Sequence, residues 1–296
     1  MGVKKLSAEA FGGNGVKIAI LDSGVPPPIL RGSWIEDVSG YYKEFPDTFG
    51  HATEISSLLF GGGGIIGICE YATPVFIQVL DSNGNGSVDD VVEGIYRAIC
   101  EDVDLINLSL GFSRTEKCPK ALEKACEKAY EAGKTIICAA GNDGNAVNWP
   151  AALETTVCVG SSGLNGLKTS FSSHGEVDFV APGLNLNVLG LDGRIKTVSG
   201  TSFSAALVTG VAALLMHGLK ESGDKIRFED VVNALIGLAD DVCEPGWDSQ
   251  TGFGLISGGF SDSTVGMKMK RGFFDRILSK ARCILGLNKR SEHGRV

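Results

Sequence analysis

Val16-Lys17-Ile18-Ala19-Ile20-Leu21-Asp22-Ser23-Gly24 runs from an apolar stretch into a carboxylate and then a glycine. A short, nearly continuous apolar run is what a strand covered on both faces requires. The same arrangement returns in Pro74–Leu80 (PVFIQVL), Asp104–Leu110 (DLINLSL), Lys134–Ala140 (KTIICAA), Thr156–Gly160 (TVCVG) and Val177–Gly183 (VDFVAPG). Between these runs, Ser87–Glu101 and Lys120–Ala132 place apolar residues at three- and four-residue steps, the period of a helix with one buried face. A long apolar helix is expected from about Ser202 to His217, and a surface helix over Phe228–Leu238. Strand and helix in alternation predict an α/β fold: a doubly wound, mainly parallel sheet with helices on both faces.

The chain has 296 residues, 43% of them hydrophobic, enough for a large core. Its 41 glycines and 7% aromatic content suit tight turns and close helix packing better than an all-β sandwich. Residues 1–258 read as one domain, 259–267 as a Gly/Ser-rich linker, and 268–296 as a basic amphipathic tail. The tail carries nine Lys and Arg against two acids, so of the net charge of −8 the body holds −15. Such a body repels nucleic acid, and no nucleic-acid partner is expected. Within the tail, Phe273, Phe274, Ile277, Leu278, Ala281, Ile284 and Leu285 share a helical face, with Arg271, Arg276, Lys280 and Arg282 around the other. That pattern suits a membrane surface, a partner protein, or packing on the chain's own acidic body. The eight cysteines include no C-x-x-C pair, and several sit inside apolar runs. With no export signal visible before Val16, they read as reduced thiols of a cytoplasmic protein.

Three segments put a reactive side chain where a strand ends or a helix begins, the edge at which open α/β sheets hold their ligands. Asp22 closes the first strand. His51 follows Phe49-Gly50 at a helix start, and Ser202 opens the apolar helix after Ser199-Gly200-Thr201. Taken singly, each has an ordinary reading: a loop-capping acid, a structural histidine, an N-capping serine. Together, acid, imidazole and hydroxyl stand in the chain order Asp, His, Ser that one group of serine proteases uses. Ile106–Gly111 and Ala139–Gly144 add two strands with small-residue ends, the second carrying Asn142.

From about Gly15 to Gly254 the motifs ILDSG, GHAT, VLDSNGNGSVDDVVEGI, INLSLG, AAGNDG, FVAPG and SGTSFSAA resemble the subtilase family in order and spacing. The chain looks like its short intracellular members, which lack a long pro-region. The resemblance implies a subtilisin-like three-layer fold and a serine endopeptidase acting on peptides or proteins. Ser202 would be the nucleophile, His51 the general base and Asp22 its orienting partner, with Asn142 donating to the oxyanion. Ser109, Leu110 and Gly111 on one side and Ala139, Ala140 and Gly141 on the other would wall the specificity pocket, with Asn148 near its floor.

The departures carry their own expectations. His51-Ala52-Thr53-Glu54 replaces the family's His-Gly-Thr-His, and Ala206 stands where a proline is usual. The missing ring raises a second reading, a processing protease with peptide ligase or macrocyclase activity. The loop Gly61–Gly67 offers no carboxylate or amide side chain, so no cofactor is expected and the family's common calcium site is not supported there. Asp81-Ser82-Asn83-Gly84-Asn85-Gly86 mimics the start of an EF-hand but lacks its closing acid, and reads as a substrate-binding loop. Two rivals from other classes are a non-catalytic peptide-binding scaffold and a nucleotide-binding protein. The second fails because Gly12-Gly13-Asn14-Gly15 precedes its strand instead of following it.

Overall fold

A computed structural model describes residues 12–27, 45–114, 117–163, 166–220 and 225–256, together with the backbone of 260–261 and 268–269. Six strands form one sheet in the order β2-β1-β3-β4-β5-β6. They are β1 (Lys17–Asp22), β2 (Thr73–Gln78), β3 (Leu105–Leu108), β4 (Thr135–Ala139), β5 (Thr156–Ser162) and β6 (Phe179–Pro182). Every neighbouring pair is parallel. Each strand coincides with one of the apolar runs, and β3 to β6 are buried at every residue. That burial is the reason their sequences show no alternation.

The helices are α1 (His51–Phe60), α2 (Val88–Cys100), α3 (Lys120–Glu131), α4 (Thr201–Lys220) and α5 (Phe228–Ile236). Helices α2 and α3 pack on each other and on β1, β2 and β4, whereas α4 packs on α1 and lies across β3 to β6. The sheet is therefore covered on both sides, as the alternation predicts. A capping box starts α2: Ser87 Oγ accepts from Asp90 N at 3.1 Å while the Asp90 carboxylate accepts from Ser87 N at 3.1 Å. Helix α4 is long and apolar enough to cross a membrane, yet it is buried along nearly its whole length and forms the centre of the core.

Two features depart from the sequence reading. An antiparallel hairpin of β7 (Leu186–Leu189) and β8 (Ile195–Val198) stands between β6 and α4. Its turn was signalled by Asp192-Gly193, a pair suited to hairpin turns because glycine accepts a positive φ, here 74° at Gly193. Ile256 N donates to Val180 O at 2.8 Å, which ties the end of the described body to β6. Beyond it, β9 (Phe260–Ser261) and β10 (Lys268–Met269) pair antiparallel across the stretch read as a linker. The rest of the tail, 270–296, lies outside the described residues.

Candidate active site

The sheet order reverses at β1, which has β2 on one side and β3 on the other. Neighbouring connections then leave in opposite directions and open a crevice beyond the strands' carboxyl ends. Asp22 is the last residue of β1 and is fully buried. The chain turns at Gly24, with φ of 137°, where a side chain would meet the carbonyl of Phe45 at 2.7 Å. The returning segment delivers His51 as the first residue of α1. Its Nδ1 lies 2.8 and 3.0 Å from the two carboxylate oxygens of Asp22. Burial works against the imidazolium, but the Asp22 carboxylate, by charge and hydrogen bond, outweighs it together with Glu54 and Asp47, and the His51 pKa is raised above the ordinary imidazole value.

Asp47 organises this corner, and sequence reasoning did not single it out. Its Oδ1 accepts from Ser23 Oγ at 2.9 Å, Phe49 N at 3.2 Å and Gly50 N at 2.7 Å, and its Oδ2 from Thr53 N at 2.9 Å and Thr53 Oγ1 at 2.6 Å. Gly50, at the N-cap position, has no side chain to cap α1, so the helix borrows this carboxylate instead. Ser23 Oγ also accepts from Ala52 N at 3.0 Å, which ties the end of β1 to the helix that carries His51. The signal was an acid a few residues before a helix start.

Ser202 lies in the first turn of α4. Its Oγ donates to the carbonyl of Ser109 at 2.9 Å, and Ser109 Oγ donates back to the carbonyl of Ser202 at 2.7 Å. Behind Ser109, Asn107 Nδ2 donates to Ser109 Oγ at 2.9 Å and Thr209 Oγ1 donates to Asn107 Oδ1 at 3.0 Å. This buried chain fixes the turn that carries Ser202 to the end of β3. The ring of Phe203 packs beside the His51 imidazole, with centroids 5.8 Å apart, which sets the imidazole next to the start of α4. Asn142 is anchored to the same turn, its Oδ1 accepting from Thr201 N at 2.8 Å and Thr201 Oγ1 at 3.0 Å. With the oxygen engaged, the NH₂ is left for an outside acceptor.

Ser109, Leu110 and Gly111 line a cavity of about 370 Å³ that begins at His51 and continues past Leu80, Gly84 and Phe112. A larger cavity of about 750 Å³ shares Leu80, Asn85 and Gly86 with it and is lined also by Phe45, Thr48 and Gln78. The side chains of Ala139 and Ala140 are buried, so that wall presents mainly backbone. Asn148 crosses from one wall to the other: its N donates to Ala140 O, and the next residue, Trp149, exchanges hydrogen bonds with Phe112. Glu54, the acid in place of a histidine, is buried in α1 and ion-paired with Lys196 of β8. Leu189 N of β7 donates to Ser57 Oγ at 3.1 Å, so hairpin and α1 are joined twice. The Gly61–Gly67 loop closes on itself through Gly62 and Ile65, and Oδ1 of Asp81 accepts from Asn83 N and Asn85 N of its own loop.

A model of the subtilase family matches residues 13–254. The minor extracellular protease Epr of Bacillus subtilis (strain 168) is 34% identical over 264 residues, covering 86% of this chain and 39% of that protein. The intracellular serine protease of Paenibacillus polymyxa is 33% identical over 221 residues, covering 69% of this chain and 67% of that one. The chain spans about half the length of the first curated relatives it matches. Among solved structures, a serine-to-alanine variant of the protease domain of PatA superposes with a TM-score of 0.73 over 96% of this chain and 100% of that one; at 22% identity the likeness is one of fold. Family match and fold agree with the order of the motifs, and the chain belongs to the subtilase family.

Proposed function

We propose that the chain is a serine endopeptidase that hydrolyses peptides or proteins through an acyl-enzyme on Ser202. The observation that carries this reading is the buried Asp22 carboxylate bonded to His51 Nδ1 at 2.8 Å beside the first turn of α4. Bonding at Nδ1 leaves Nε2 as the free base position. The Ser202 hydroxyl leaves the carbonyl of Ser109 and gives its proton to His51 Nε2 as Oγ attacks the scissile carbonyl. Catalytic contacts of this kind commonly tighten only when substrate is bound. The oxygen that gains charge is met by the Asn142 NH₂ and by the N–H of Ser202, one of the groups a helix's first turn leaves without an intrahelical partner. His51 then protonates the leaving amine, and water repeats the sequence to release the acid. Ala206 is fully buried inside α4, so the missing proline ring opens no accessible space for an amine, and hydrolysis is the preferred reading over ligation.

On the same footing we propose that activity needs no bound calcium. The Gly61–Gly67 loop offers only backbone oxygens, and one oxygen of Asp81 is engaged by its own loop, so neither supplies the carboxylate set a hard cation requires. A fluorophosphonate probe tests the central claim. The wild type should be labelled and Ser202→Ala should not, with hydrolysis lost in the variant and stability changed by less than about 1 kcal/mol. Residual hydrolysis in Ser202→Ala would sink the assignment.

A further inference from the structure

We propose that Arg114 is a positioning residue for peptide binding: gripped between Trp149 and Glu176, it holds the segment Ser109–Phe112 in place for a substrate strand. The inference rests on the function proposed above, in which a peptide lies along the cavity that begins at His51. Ser109, Leu110, Gly111 and Phe112 line that cavity. The segment is anchored at its two ends. At one, Ser109 Oγ donates to the carbonyl of Ser202 at 2.7 Å and Ser202 Oγ to the carbonyl of Ser109 at 2.9 Å. At the other, Phe112 N donates to Trp149 O at 2.7 Å and Trp149 N to Phe112 O at 2.9 Å. Between the anchors, the backbones of Leu110 and Gly111 make no hydrogen bond among the described residues. Free N–H and C=O groups beyond a strand's end are what an incoming strand pairs with, and they leave the segment dependent on its anchors.

Arg114 secures the far anchor. Its guanidinium carbon lies 4.7 Å from the centre of the Trp149 ring, and its Nη1 donates to Glu176 Oε2 at 2.6 Å. One side chain thus ties the end of the segment both to the residue it pairs with and to the loop before β6. That loop is a fixed post: on either side of Glu176, Gly175 N donates to Ser249 O at 2.8 Å and Asp178 N to Cys158 O at 3.0 Å. The hydrogen bond from Arg114 holds the Glu176 carboxyl below its ordinary pKa, so the pair is charged at neutral pH. An exposed ion pair alone contributes little, but here the same cation also stacks on an indole, and together the contacts are of the size that shifts a binding constant about 10-fold. A planar guanidinium does both at once, which a lysine does only in part. Arg114 does not itself line the cavity, so it acts through Phe112 and Trp149.

Wild type, Arg114→Ala and Arg114→Lys are compared on two substrates. One is a long, uncharged, internally quenched peptide that fills the cavity; the other is the nitrophenyl ester of one acetylated amino acid, which reaches Ser202 without lying along Leu110 and Gly111. Arg114→Ala should raise KM for the peptide by about 10-fold and leave kcat, and both constants for the ester, within about 2-fold. Arg114→Lys keeps the charge and loses the planar stacking, so its KM should fall between the other two. Because the pair is open to solvent, added salt should raise the wild-type KM for the peptide and leave that of Arg114→Ala where it is. Peptide and ester impaired alike would show a general loss of structure, and an unchanged peptide KM in Arg114→Ala would show an idle clamp; either overturns the inference. Binding of a labelled peptide to the Ser202→Ala chain, with and without Arg114→Ala, needs no catalysis and separates the two assignments. A wild type that hydrolyses neither substrate, while that binding weakens by about 10-fold on loss of Arg114, would refute the nucleophile and sustain the clamp.

Discussion

Asn142 is held by its oxygen, which leaves its nitrogen for the role proposed above. Because Thr201 fixes the amide through two hydrogen bonds, the NH₂ is aimed before any substrate arrives and pays no reorganisation when charge develops. Asn142→Leu, similar in volume but without a donor, should lower kcat by about 10²–10³-fold, the size seen when one such donor is removed from a subtilisin, and leave KM nearly unchanged. A rise in KM at constant kcat would show that Asn142 only binds substrate. Glu54 acts on His51 from three residues away, and on the function proposed above His51 is the base. His51 must be neutral to take a proton, and its pKa is raised by Asp22, Glu54 and Asp47 against its burial, so activity falls as pH drops through a value above that of an ordinary imidazole. Replacing Glu54 by Gln removes one of these charges and leaves Lys196, which is half exposed, to solvent. The acid limb of kcat/KM should then move to lower pH; a limb that stays or moves upward contradicts this account.

At the scale of elements, α1 begins where Asp47 lets it. The buried carboxylate collects five donors from β1, the return loop and the helix itself, so Asp47→Ala strands several of them at once. Thermal or urea unfolding should report a loss of about 2–4 kcal/mol, and kcat should fall because His51 loses its mount. Unchanged stability would mean that water replaces the carboxylate without cost. Five helices and the six sheet strands were legible in the sequence because buried strands are written as continuous apolar runs and α2 and α3 as three- and four-residue steps. The hairpin was not, since β8 is largely exposed and carries no apolar run, leaving only Asp192-Gly193 to announce it. Asp22, His51, Ser202 and Asn142 were legible through motif order. The groups that hold them were not: Asp47 meets Ser23, Ser109 meets Ser202 and Glu54 meets Lys196 only after the chain has folded, and no local pattern encodes those meetings.

At the scale of the whole molecule, nearly all the buried apolar residues form one cluster, and no disulfide joins the described cysteines. Cys69, Cys126, Cys138 and Cys158 are buried and free, and burial pushes the Cys69 thiol well above its ordinary pKa and the Cys126 thiol up to about 12. Such thiols are protonated and unreactive at neutral pH. Neither EDTA nor a mild reductant should shift the unfolding temperature or the activity; a large drop with EDTA would reveal a cation site, with Asp81 the first residue to examine. The position of α4 carries one more consequence. The helix that bears Ser202 is also the helix that fills the middle of the core and spans β3 to β6, so whatever loosens that core displaces Ser202 as well. Helix α1, which carries His51, packs on the same helix, so on the function proposed above a loss of this core would part Ser202 and His51 together and end activity in one step.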